Sequence, residues 1–144
     1  MLHLKYLQKI FTLIQSEIRY SRTYLGEIFY EIGEKEKEPY RSWLIDVSEK
    51  LNEFTGERFE DIWKESICRN LNNLSLQEPD LEILKNVGNQ LGFSDINAQI
   101  RLIDLYLEQL ERSIKEVHEQ IQTKVRLYHC MGVMSGLFII ILLF

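Results

Sequence analysis

The sequence predicts an all-α fold, a six-helix bundle whose long last helix continues into a C-terminal transmembrane segment. Three observations carry this. Ile96, Ile100, Ile103, Leu107, Leu110, Ile114, Val117 and Ile121 follow one another at alternating intervals of four and three, which holds eight aliphatic side chains on one narrow helical stripe. Charged residues stop at Arg126, and the 18 residues 127–144 carry none apart from His129 when protonated; at 1.5 Å per residue they span about 27 Å, close to the hydrocarbon thickness of a bilayer. Finally, two Pro and seven scattered Gly in 144 residues are too little turn chemistry for a β-rich domain.

The elements follow in order. Leu4, Leu7, Phe11, Ile14 and Ile18 recur at helical spacing, with Ile10 and Leu13 widening the face, and predict a first helix over residues 2–20. A short second helix over residues 24–32 places Leu25, Ile28, Phe29 and Ile32 on one side, with Ser21 to Thr23 at its start and Gly33 as its C-cap. Glu34 to Glu38 then reads as a charged linker, and Pro39 opens a third helix over residues 39–54 that buries Trp43, Leu44, Val47, Leu51 and Phe54. Thr55-Gly56 ends it. Phe59, Ile62, Trp63, Ile67 and Leu71 define a fourth helix over residues 57–71, stopped by Asn72-Asn73. The fifth begins at Glu78-Pro79-Asp80, carries Leu81, Leu84, Val87 and Leu91, and stops at Gly92; Ser94 or Asp95 caps the sixth. The first and sixth helices offer matching stripes and are expected to pack side by side. The expected core is built on Phe11, Ile14, Ile18, Trp63, Ile100, Leu107, Leu110 and Ile114.

Totals narrow the function. A chain of 144 residues with 45% hydrophobic content buries one core. The expected division is a helical bundle over residues 1–126 and an anchor over 127–144, made by Leu127, Met131, Met134, Leu137, Phe138, Ile139, Ile140, Ile141, Leu142, Leu143 and Phe144. Net charge is −5, which argues against nucleic acid as a partner. Residues 27–99 hold 16 acids and 8 bases and form the acidic, solvated part of the domain. Cys68 and Cys130 read as two free thiols in a reducing compartment. Lys5 and Lys9 interrupt the apolar positions of the N-terminus, so no secretory signal is visible. Lys124 and Arg126, just before the apolar segment, place the bundle on the cytoplasmic side.

Reaction chemistry has no residue pattern to stand on. His3, His118 and His129 are isolated, without the convergent spacing that a metal site requires. There is no nucleophile elbow, no Cys-His pairing and no glycine-rich phosphate loop. Glu60-Asp61 and Glu108 with Glu111 have basic neighbours and read as solvated faces. The expectation is no catalytic, cofactor or metal residue, no small-molecule substrate, and a protein that acts by contact.

Several fragments then carry a resemblance: Leu13-Ile-Gln-Ser-Glu17-Ile18-Arg-Tyr20 with Thr23-Tyr24-Leu25-Gly-Glu-Ile28; Phe59-Glu-Asp-Ile-Trp63 after Gly56; Asp80-Leu81-Glu-Ile-Leu84; Leu91-Gly92-Phe-Ser-Asp95 with Gln99; and Lys124-Val-Arg-Leu-Tyr128-His-Cys-Met-Gly132-Val-Met-Ser-Gly136. In this order and spacing they resemble the stage III sporulation protein AB family of endospore-forming bacteria. Tyr24 stands where the family usually has Pro. Family members usually have a membrane segment ahead of the first helix, whereas this chain starts almost at that helix; either the segment has been trimmed or attachment is through the C-terminal helix alone. The family's helical domain is similar to the cytoplasmic domain of the F-type platform proteins of type II secretion and type IV pilus machines. The resemblance implies a non-enzymatic platform or assembly subunit of the channel complex between mother cell and forespore. It would sit in the cell membrane on the mother-cell side, with a cytoplasmic assembly ATPase and other channel subunits as partners. The competing reading is a membrane-tethered helical ligand-binding or regulatory protein acting through a coiled-coil partner, with the 96–121 stripe left open to receive it.

Overall fold

The structure is a computed structural model that describes residues 2–21, 24–53, 56–92 and 95–143. The parts expected of Thr23, Phe54, Thr55, Ser94 and Phe144 lie outside the described residues. Among the described residues there are six helices and no strands: α1 Leu2–Tyr20, α2 Leu25–Lys35, α3 Tyr40–Asn52, α4 Phe59–Asn70, α5 Glu78–Leu91 and α6 Ile96–Leu143. Each helix packs on the next in sequence, and α6 packs back on α1, so the six form a closed ring. Gln15 of α1 meets α6 at Ile100 and Asp104. Lys5 shares a shallow groove with Glu111, Ile114, Lys115 and His118. The two helices are therefore antiparallel.

The middle of the ring is filled by aromatic side chains. Trp63 on α4 is wholly buried, with Trp43 of α3 edge-on at 5.1 Å between ring centroids, Phe59 stacked at 5.8 Å, Phe29 of α2 at 5.9 Å and Phe11 of α1 edge-on at 6.1 Å. Its indole N–H donates to the Leu84 carbonyl of α5 at 2.8 Å. One side chain thus touches five of the six helices, and its polar atom is satisfied, as burial requires. The hydrophobic stripes of short helices, each too small to be stable alone, converge on this point.

Three expectations are corrected. Gly33 does not cap α2. The helix runs on to Lys35, and Gly33 is a buried position where a Cβ would come within 3.1 Å of Leu44 Cβ and Ile45 Cγ1. It lets α2 lie close against α3. Residues 34–38 are not wholly a solvated linker either: the Glu36 side chain is only 2% exposed and pairs with Lys9 Nζ at 3.3 Å. Pro39 sits one residue ahead of α3 rather than in its first turn, with Trp43 N–H donating to its carbonyl. Gly56, with φ of +81°, takes the left-handed conformation between α3 and α4.

Candidate membrane anchor and its seating on the bundle

The last helix combines two chemistries in one uninterrupted element of 48 residues, about 72 Å long at 1.5 Å per residue. Its start is well determined. Asp95 Oδ1 accepts the Ala98 N–H at 2.7 Å, the N-cap geometry that satisfies a free helix-end donor. Two glutamines then fasten the first turns. Gln99, buried, donates from Nε2 to the Leu91 carbonyl of α5 at 2.8 Å, and Gln15 of α1 donates to the Ile100 carbonyl at 3.1 Å and to Asp104 Oδ1 at 2.6 Å. Further along, Ser113 Oγ donates to Asp80 Oδ1 of α5 at 2.9 Å.

Between these ties lies the packed face. Ile103, Tyr106 and Leu110 are buried, and the Tyr106 ring meets Phe11 edge-on at 4.5 Å. Burial pushes the Tyr106 hydroxyl well above the usual phenol range, with the Asp80 charge adding to it. Of the core positions expected from sequence, Phe11, Ile14, Ile18, Trp63 and Leu110 are buried, while Ile100, Leu107 and Ile114 are half-buried along the edge of the seam. The buried face is rotated from the aliphatic stripe towards Gln99 and Tyr106. A search for aliphatic residues alone passes over both, although 99, 103, 106 and 110 keep the same helical spacing.

From His118 onward every described position of α6 is exposed. The bundle therefore covers the helix only as far as Val117, and nine residues, 118–126, separate it from the apolar segment. In that segment Leu127, Met131, Met134, Leu137, Phe138, Ile139, Ile140, Ile141, Leu142 and Leu143 are all more than half exposed. Among the described residues α6 is the helix long and apolar enough to cross a membrane. A run of large aliphatic side chains exposed all round a helix is the pattern of a segment solvated by lipid. Helix α6 is continuous across residue 126, where the charged residues end.

The remaining chemistry is sparse. Among the described residues no three of His, Cys, Asp and Glu converge as metal ligands, and Cys68 and Cys130 are exposed free thiols. The open 96–121 stripe of the regulatory reading is taken up over most of its length, because α1 and α5 cover it from Gln99 to Val117.

The profile of a protein family described as stage III sporulation protein AB matches residues 1–144. The chain belongs to that family. Its family places it in sporulation. Stage III sporulation protein AB of Bacillus subtilis (strain 168) is 26% identical over 130 residues, covering 90% of this chain and 75% of the relative. A solved structure of a stage III sporulation protein AB superposes with a TM-score of 0.72 at 25% identity, over 81% of this chain and 91% of the other. The helical bundle described above is thus the fold of the family, and the family is named for a stage of sporulation rather than for a reaction.

Proposed function

We propose that this chain is a non-enzymatic, membrane-anchored platform subunit of the secretion-like channel complex between mother cell and forespore. The observation that carries this is the continuity of α6: one helix closes the ring of the bundle with its first half and presents an exposed apolar length with its second. A rigid helix joining a folded domain to a membrane segment holds that domain at a set height. The nine residues 118–126 make that height about 13 Å. Lys124 and Arg126 at the boundary favour the cytoplasmic side of the mother-cell membrane for the bundle. Residues 1–126 are the partner-binding domain, 127–144 the anchor, and the partners are a cytoplasmic assembly ATPase and the other membrane subunits of the channel.

Affinity capture of the tagged full chain from sporulating-cell membranes tests this. The expected result is co-purification of an ATPase and other channel subunits, lost when residues 127–144 are removed. Capture of neither from membranes in which the complex is intact overturns the platform reading.

A further inference from the structure

The two ends of the bundle differ in charge. Lys9 pairs with Glu36, His3 Nδ1 meets the Tyr40 hydroxyl at 2.9 Å, and Ser113 donates to Asp80. The start of α1, the α2–α3 corner, the start of α5 and residues 110–118 of α6 therefore lie together at one end, the end nearer the apolar segment. Residues 1–9, 34–42, 69–80 and 110–126, which make this near end, hold ten bases and eight acids. At the far end, residues 17–31, 49–61 and 91–104 hold five bases and ten acids. That excess of five acids equals the net charge of the whole chain, −5. Two of the near-end acids are also engaged: Glu36 is buried against Lys9, and the half-buried Asp80 accepts from Ser113. Lys5, Lys35, Lys37, Arg41 and Lys115 are all exposed, and the turn between α4 and α5, residues 71–77, carries no charge.

We propose that the near end of the bundle docks on anionic lipid headgroups, the polar layer of the membrane that α6 enters. This rests on the reading of residues 127–144 as membrane-spanning, and on that reading α6 itself decides what the near end faces. The helix is one of six in a closed ring, so it leaves the bundle off-centre, and the α2–α3 and α4–α5 corners overhang the bilayer beside it. The nine residues 118–126 hold the bundle about 13 Å from the hydrocarbon. Headgroups fill about 5–7 Å of that distance. What remains is shorter than the Debye length of about 8 Å at physiological salt, and the long stems of Lys and Arg shorten it further. Lys124 and Arg126 already stand in the headgroup layer on the same helix. A negative surface attracts the exposed bases of the near end and repels the acidic far end, so both halves of the charge distribution favour the same upright seating.

The test uses the full chain with Cys68 and Cys130 replaced by Ser and one fluorescent reporter, at Gln77→Cys on the near end or at Asn97→Cys on the far end. Each is reconstituted in phosphatidylcholine vesicles that carry a headgroup-attached nitroxide quencher, with or without phosphatidylglycerol as about a third of the lipid. Phosphatidylglycerol is expected to raise quenching of the Gln77→Cys reporter about threefold and to leave the Asn97→Cys reporter unchanged. Salt at about 1 M, where the Debye length falls to about 3 Å, should abolish the difference. So should Lys5→Gln, Lys37→Gln, Arg41→Gln and Lys115→Gln together, while the helix signal and vesicle flotation persist. Quenching that ignores phosphatidylglycerol, that survives the four substitutions, or that rises equally at both reporters overturns the headgroup seat. A near end that is shielded only in sporulating-cell membranes, and not in pure lipid, also overturns it, in favour of a protein partner. Flotation separates the two readings: a chain that floats but does not respond to anionic lipid leaves the anchor standing, and a chain that does not float overturns both.

Discussion

At the residue scale, the bundle depends on a few buried side chains and on whether their polar atoms find a partner. Trp63 is the clearest. Trp63→Phe removes the indole N–H that donates to the Leu84 carbonyl and opens space at the junction of five helices. The expected cost is about 2–4 kcal/mol in urea unfolding of the full chain in micelles. Gly88 is its counterpart on α5. A Cβ there would fall 2.3 Å from Trp63 Cδ1, so Gly88→Ala must push α5 away from the indole, despite its better helix propensity, with an expected loss of about 1–3 kcal/mol. Glu36 and Lys9 form a pair of another kind. Glu36 Oε1 has Lys9, but its Oε2 is buried without a partner. Lys9→Met strands the carboxylate, and half of the lysine is already in water, so about 1–2 kcal/mol is expected rather than the full cost of breaking a buried pair. The double variant Lys9→Met with Glu36→Leu should recover stability, and failure to do so would show that the Lys9 ammonium also stabilises the bundle through the Tyr6 ring, whose centroid lies 5.1 Å from Nζ.

Two buried phenols set the alkaline limit. Burial pushes Tyr40 up to about 12, with Tyr6, stacked on it, adding to the shift, and Tyr106 is raised further. The unfolded chain releases these protons near pH 10 while the folded chain still holds them. Stability is therefore full below pH 10 and falls as pH rises from 10 towards 12 and beyond. Denaturant midpoints measured across this window should decline, and Tyr106→Phe should flatten the decline.

At the element scale, all six helices were legible from periodicity, because each carries a stripe at helical spacing. Their ends were less so. Gly33 followed the last apolar position of α2 and had the signature of a cap. The structure uses it instead for contact with α3, information held in a different helix. Glu36 sits in a run of alternating charge that looks fully solvated, and only the approach of α1 shows that one of the five residues turns inward. In α6 the aliphatic stripe marked the right side of the helix but centred it away from Gln99 and Tyr106, since a polar side chain is suited to a core only when its partner is known. The half-buried Leu107 still lies where α1 and α6 run together. Leu107→Pro removes a helical hydrogen bond there, and an expected cost of about 3 kcal/mol or more should abolish the cooperative melt. A folded monomer would show that the ring does not depend on α6.

At the scale of the whole molecule, the closing contact is the one between α1 and α6, the two ends of the bundle in sequence. A chain ending at Asp95 should lose its cooperative transition, because α1 and α5 then expose the faces that α6 covers. A chain ending at Arg126 should keep that transition and remain in the supernatant after membrane sedimentation; sedimentation of the shortened chain with vesicles would place the anchor elsewhere. Together these separate the two tasks of α6.

The helical class, the six helices, the apolar end of α6 and the family can all be read before any packing is known, since each depends on spacing, composition or the order of fragments along the chain. How those pieces close is visible only once they are packed. Packing puts α1 antiparallel to α6, places Trp63 where five helices meet, turns Gln99 and Glu36 inward, and releases α6 from the bundle after Val117. The physical reason is range. Periodicity records which side of a helix avoids water, but which neighbour covers that side is set by contacts between residues far apart in the chain, such as Gln15 and Asp104, 89 positions apart.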